Sequence, residues 1–176
     1  MLLGLLAALP ARAGEPPGLI ALVIDDLGYR LGDGRRAVEL PGEVTLGLLP
    51  HTPHAERLAR LAVERGREVL LHVPMEARSG KRLGPGGLTS TMDRGAVRRT
   101  LDAALASLPM AAGVSNHMGS LLTRRQGPMD WTMEVLRERP GLYFVDSRTS
   151  GSSVAGAAAT AHGVPTLTRD VFLDHH

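Results

Sequence analysis

Apolar runs recur at residues 19–24, 44–49 and 69–73, and a period of roughly 25 residues leaves room for one helix between successive strands, the spacing of βαβ crossovers in a parallel sheet. The intervening segments agree. Residues 30–40 and 53–65 are helical in pattern, the second with Leu58, Leu61 and Ala62 on one face. Past the third run the rhythm loosens: residues 77–92, rich in Gly, Pro, Ser and Thr, read as a long mobile loop in the position of a lid or substrate-contacting segment. A helix is expected over 93–108, with Asp93 as N-cap and Val97, Leu101, Ala104, Leu105 and Leu108 as its buried stripe. Further strands are expected near 112–115, 142–145 and 166–167, with helices over 129–139 and 152–162. The fold class is α/β.

The chain's 176 residues suffice for one domain with a real core. Aromatic residues make up only 3%, which argues against a base-stacking platform and against aromatic sugar-stacking slots. The formal charge of +2 comes without a long basic run, so nucleic acid is not an expected partner. The absence of cysteine removes disulfides, thiolate metal sites and thiol nucleophiles.

Residues 1–9 are almost wholly apolar, and Ala11-Arg12-Ala13 before Gly14 has the small-x-small form of a signal-peptidase site. The expected organisation is therefore a signal peptide over 1–13, a linker over 14–18 containing Pro16 and Pro17, and the domain over 19–176, periplasmic or secreted. The alternative is a frayed apolar N-terminus, because no Lys or Arg precedes the apolar stretch. That stretch is too short to span a bilayer.

Where each apolar run ends, polar chemistry begins. Asp25 and Asp26 close the first, His51 follows the second, His72 the third, Asn116 and His117 the fourth, Asp146 the fifth, and Arg169 and Asp170 the last. Strand ends converging on one rim are how a barrel or open sheet assembles a site. In an extended chain Asp25 and Asp26 point to opposite sides, so one is free to bind a cation and the other to handle a proton; capping of the next helix is the competing role. Asp26, His72 and His117 form a facial donor set for a divalent cation, zinc first, with cobalt, nickel or manganese also suited. Each member has a plainer alternative, His72 for instance as a hydrogen-bonded strand-end residue. Asp146 joins Asp25 as a catalytic candidate, and Glu76, Asn116, Ser147 and Arg148 are candidate substrate contacts. Equally, Glu76 suits a supporting or surface role and residues 146–149 a turn with a local ion pair. His51 and His54 read as loop or helix-start residues.

Five ordered segments carry a family resemblance: Ile24-Asp25-Asp26-Leu27-Gly28, residues 68–76 around His72, residues 113–120 with Thr123, Phe144-Val145-Asp146-Ser147-Arg148-Thr149, and residues 169–174. Together they resemble the divergent polysaccharide deacetylase family, a distant branch of the carbohydrate esterase family 4 deacetylases. The resemblance implies a distorted (β/α) barrel and metal-dependent hydrolysis of N-acetyl or O-acetyl groups on a polysaccharide or cell-envelope glycan. It also implies Asp25 as general base and Asp26 as metal ligand. Two departures matter. The parent family takes both metal histidines from one His-x-x-x-His segment, whereas here His72 is followed by Glu76, so His117 has to substitute. The parent pattern also continues beyond Asp174 to a strand bearing its general acid, which implies a domain incomplete at its C-terminus. A non-catalytic polysaccharide-binding or envelope protein that keeps the fold is the alternative from another class. A phosphate-binding α/β enzyme is disfavoured, because Asp25-Asp26-Leu27-Gly28 offers carboxylates where a phosphate cradle needs backbone N–H groups.

Overall fold

The computed structural model describes residues 19–174; the expected signal peptide and linker, and the terminal His175 and His176, lie outside them. Six strands, β1 (Val23–Leu27), β2 (Thr45–Leu48), β3 (Val69–Met75), β4 (Gly113–Met118), β5 (Tyr143–Asp146) and β6 (Thr166–Thr168), form one sheet in sequence order. Every adjacent pair is parallel. Each crossover carries a helix: α1 (Leu31–Val38), α2 (Ala55–Glu64), α3 (Arg94–Ser107), α4 (Gln126–Arg137) and α5 (Ala155–Ala161). This single winding is consistent with the expected distorted barrel, but among the described residues β1 and β6 do not pair and the sheet stays open.

The core forms where the apolar runs fall. β3 is buried along its whole length and pairs with β4 from Leu70 opposite Gly113 to Met75 opposite Met118. A strand covered on both faces is near-continuously apolar, as Val69, Leu70, Leu71, Val73 and Met75 are, with His72 the buried polar exception. Around it the helices turn one stripe inward: Leu58, Ala59 and Ala62 from α2, Val97, Leu101 and Ala104 from α3, and Met129, Met133 and Leu136 from α4. Asp93 caps α3 as expected, accepting a 2.7 Å hydrogen bond from the Ala96 N–H.

The largest departure from expectation is at β1. Residues 19–22 form no strand, and Leu19 and Ile20 are almost fully exposed. β1 instead begins at Val23, where pairing with Thr45 of β2 starts, and takes in both aspartates. It lies at an edge of the described sheet and is only partly buried, so apolarity without a second neighbour misplaced it by four residues. The last turn before α4 is a short 3₁₀ helix, Leu122–Arg124, and α4 begins at Gln126, earlier than expected.

Residues 77–92 are pinned rather than loose. Leu88 is fully buried, forms a parallel bridge with Met75, and exchanges backbone hydrogen bonds with its neighbours: the Leu88 N–H donates to the Pro74 carbonyl at 2.8 Å and the Glu76 N–H to the Leu88 carbonyl at 3.0 Å.

Candidate metal centre

Strand ends at the C-terminal rim bend sharply. Asp26 (φ 63°), His51 (φ 56°), Met118 (φ 55°) and Arg148 (φ 45°) are the non-glycine residues with positive φ among the described residues, and all follow or close a strand at this rim. Left-handed backbone is costly for side chains with a Cβ and tends to persist where the surroundings over-determine it, often at functional sites.

At Asp26 this conformation coincides with a register break between Ile24 and Leu27. Strict alternation is lost, and both carboxylates face one imidazole. Asp26 Oδ1 lies 3.2 Å from His72 Nε2, while Asp25 Oδ1 lies 3.5 Å from His72 Nδ1. From the neighbouring β4, His117 Nδ1 approaches Asp26 Oδ1 to 2.6 Å, and the two imidazoles meet edge-on with centroids 5.3 Å apart. Asp26, His72 and His117 thus offer one ligand atom each, all within 4.8 Å of one another, a spacing compatible with ligand bonds of about 2 Å to a shared cation.

Two further observations fit a cation. His72 is buried, and its Nδ1 is hydrogen bonded to Ser115 Oγ at 2.7 Å; a ring nitrogen tied in this way leaves Nε2 to ligate and fixes the ring's orientation. Asp25 Oδ1 is buried with no hydrogen-bond partner, an arrangement that is costly unless something charged compensates it. The carboxylate sits where a side chain on Gly47 would be: a Cβ there would fall 2.0 Å from Asp25 Oδ1.

The electrostatics separate the pair. Burial pushes the Asp25 carboxyl above the usual range, opposed by the nearby His72. Hydrogen bonds from His117 and His72 hold Asp26 well below it. A carboxylate with raised pKa is the better proton acceptor, and one with lowered pKa stays anionic as a ligand should.

The remaining candidates divide. Glu76 is engaged on its own loop, accepting from the Ser90 N–H at 2.6 Å, and it lies outside the donor group. Asn116 is fully buried and clamps two strand ends: its Nδ2 donates to the Met118 carbonyl and its Oδ1 accepts from the Ser147 N–H. Asp146 accepts from the Arg148 N–H and from Ser153 Oγ, so both its oxygens organise the β5–α5 turn. Ser147 is buried, whereas the Arg148 side chain is exposed on the rim. His51 and His54 stand apart from the donor group.

Sequence reasoning did not pick out Gly47, Ser115, Tyr29 or Arg82. A lone glycine inside the strand Thr45-Leu46-Gly47-Leu48 was the available signal for close approach of another group. Nothing local marks Ser115, which meets His72 only because β3 and β4 pair in that register. Tyr29 and Arg82 line a cleft of about 650 Å³ with Leu83, Gly84, Pro85 and His117, so the 77–92 loop forms a wall beside the centre.

Fold and site together define a singly wound parallel α/β protein with an Asp-His-His centre at its C-terminal rim. A family model described as divergent polysaccharide deacetylase matches residues 22–176, and the chain belongs to that family. It is 39% identical over 157 residues to the uncharacterized protein YibQ of Escherichia coli (strain K12), covering 89% of this chain and 49% of YibQ. An uncharacterized protein of Haemophilus influenzae is 37% identical over 155 residues, covering 88% of this chain and 55% of that one. The chain therefore spans about half the length of these curated relatives. The crystal structure of the uncharacterized protein ATU2773 from Agrobacterium tumefaciens C58 superposes with a TM-score of 0.82 at 30% identity, covering 88% of this chain and 63% of that one.

Proposed function

We propose that this chain is a metal-dependent hydrolase that removes acetyl groups from a polysaccharide or cell-envelope glycan outside the cytoplasm. The observation that carries the reading is the carboxylate of Asp25, partly exposed but with its Oδ1 buried and without a hydrogen-bond partner, beside a three-residue donor set. A divalent cation, zinc foremost, held by Asp26, His72 and His117 would supply Lewis-acid polarisation of the acetyl carbonyl. Asp25 takes the proton from the attacking water, and burial raises its basicity for that task. Ser115 holds His72 in the ligating orientation. The cleft bordered by Tyr29, Arg82 and Leu83 receives the sugar chain next to His117.

A second reading, a glycan-binding protein without turnover, draws on Asp146. With both oxygens engaged in its turn, it is poorly placed to protonate a leaving group. Metal analysis of purified protein, paired with acetate release from acetylated oligosaccharides, separates the two. Stoichiometric metal, with turnover lost in Asp25→Asn, is the expected result. No bound metal, or metal that persists undiminished in His117→Ala, sinks the first reading; bound metal without acetate release favours the second.

A further inference from the structure

The two ends of the sheet differ in how their charges are used. At the base, Arg65 pairs with Glu39, the Arg67 guanidinium donates to the carbonyls of Val38, Leu40 and Gly42, and Arg139 pairs with Asp102. These cations are spent on the fold. At the rim the situation reverses. Arg78, Lys81 and Arg82 follow β3, Arg124 and Arg125 follow β4, and Arg148 follows β5. All six are exposed, and none is in an ion pair among the described residues.

The acids on the same loops answer them only in part, Glu76 lying within Coulombic range of Arg125 without forming an ion pair. Glu76 is bound to the Ser90 N–H and Asp93 to the Ala96 N–H; apart from Asp25 and Asp26, which face the histidines of the centre, and Asp146, engaged in its own turn, the acids past β6 are Asp170 and Asp174. Backbone is also committed to the cationic display. Arg148 is held in left-handed conformation by the Asp146 carboxylate on its N–H, while Arg169 donates to the Ser147 and Arg148 carbonyls and lies over the Phe172 ring. Exposed, unpaired cations gathered on one rim set up a field that concentrates an anionic ligand there.

The cleft itself supplies little stacking. Tyr29 is its aromatic residue, and Arg82 stands in the wall with it, beside His117 of the donor set. A neutral sugar chain is usually gripped through aromatic faces and dense polar contacts, and this cleft presents one phenol ring and a cation beside the His117 imidazole of the centre. We infer that the cleft takes an anionic glycan, one carrying carboxylate, phosphate or sulfate groups along its chain, with Arg82 as the cation nearest the reacting acetyl group. The inference rests on the deacetylase reading for the location of the reacting group, but the charge preference is a binding property and is measured without turnover. The scarcity of aromatic residues favours a glycan over a nucleic acid, whose bases need stacking partners.

The test is equilibrium binding of the intact chain to two probes of equal length, an O-acetylated oligogalacturonate hexamer and N-acetylchitohexaose, at low and high salt. The expected result is affinity at least about tenfold higher for the anionic hexamer, as several weak exposed ion pairs acting together supply, with the advantage shrinking at high salt. Arg82→Glu should abolish the preference while leaving metal content and melting temperature unchanged, and Arg57→Glu on α2 should leave it intact. Equal or tighter binding of chitohexaose, no binding of either probe, or equally tight binding of a single-stranded oligonucleotide overturns the inference. Acetate release is scored separately: anionic binding without acetate release defeats the deacetylase reading alone, whereas release from both probes with no charge preference defeats this inference alone.

Discussion

Gly47 on β2 lies directly against the Asp25 carboxylate on β1, so closely that a Cβ at position 47 would sit 2.0 Å from Asp25 Oδ1. The absent side chain is the space the proposed base occupies. Gly47→Ala should displace that carboxylate while leaving Asp26, His72 and His117 free to ligate. Because misplacement of a reacting group by about 1 Å costs about 100-fold in rate, acetate release should fall by about that factor with metal stoichiometry unchanged. Loss of metal together with activity would instead place Gly47 in the support of the whole centre.

Zinc should stabilise the fold. A ligand that binds only the folded state adds about 2.7 kcal/mol at a concentration 100 times its dissociation constant, so titrated Zn²⁺ should raise the melting temperature and a chelator should reverse it. His117→Ala should flatten the response. A rise of equal size in that variant would locate the metal elsewhere.

Ser115 gives a finer probe. Its hydroxyl meets His72 Nδ1 at 2.7 Å, on the opposite side of the ring from the Nε2 that faces Asp26. Groups that orient a metal-binding histidine are worth 10–100-fold in affinity, roughly, when removed. Ser115→Ala should therefore weaken zinc binding by about that much in competition with a chromophoric chelator. An unchanged affinity would make the contact incidental.

Leu88 anchors the cleft wall. Fully buried, it should cost about 2–5 kcal/mol when cut to alanine, and the loosened loop should expose the amides of Glu76 and Leu88, which hydrogen exchange would register as faster exchange. Binding of the glycan probe should weaken more than metal binding does. Equal losses in both would mean that the loop and the centre unfold as one unit.

Much of this architecture is legible in the chain. The 25-residue rhythm of apolar runs yields a parallel sheet with a helix in each crossover, because a strand buried on both faces tolerates few polar residues; β3 fits that rule along its length. Asp26, His72 and His117 are readable too, since each ends an apolar run and parallel strands bring such ends to one rim. β1 was harder. Residues 19–22 are as apolar as those of β3, but pairing with β2 starts only at Val23, and apolarity records a residue's chemistry rather than its neighbours.

What the sequence determined by itself is the α/β class, the succession of strands and helices along the chain and the donors available at the strand ends, all consequences of local periodicity. Tertiary structure alone decided how those donors are used. The positive φ at Asp26 and the register break beside it turn both carboxylates toward one imidazole, β3–β4 pairing delivers Ser115 to His72, and the bare backbone of Gly47 makes room for Asp25. Turns around Asn116 and Asp146 consume side chains that the sequence offered to substrate binding and to catalysis respectively. Each outcome depends on distances between residues far apart in the chain, and those are set only when the strands pair and a buried polar group finds its partner or is left without one.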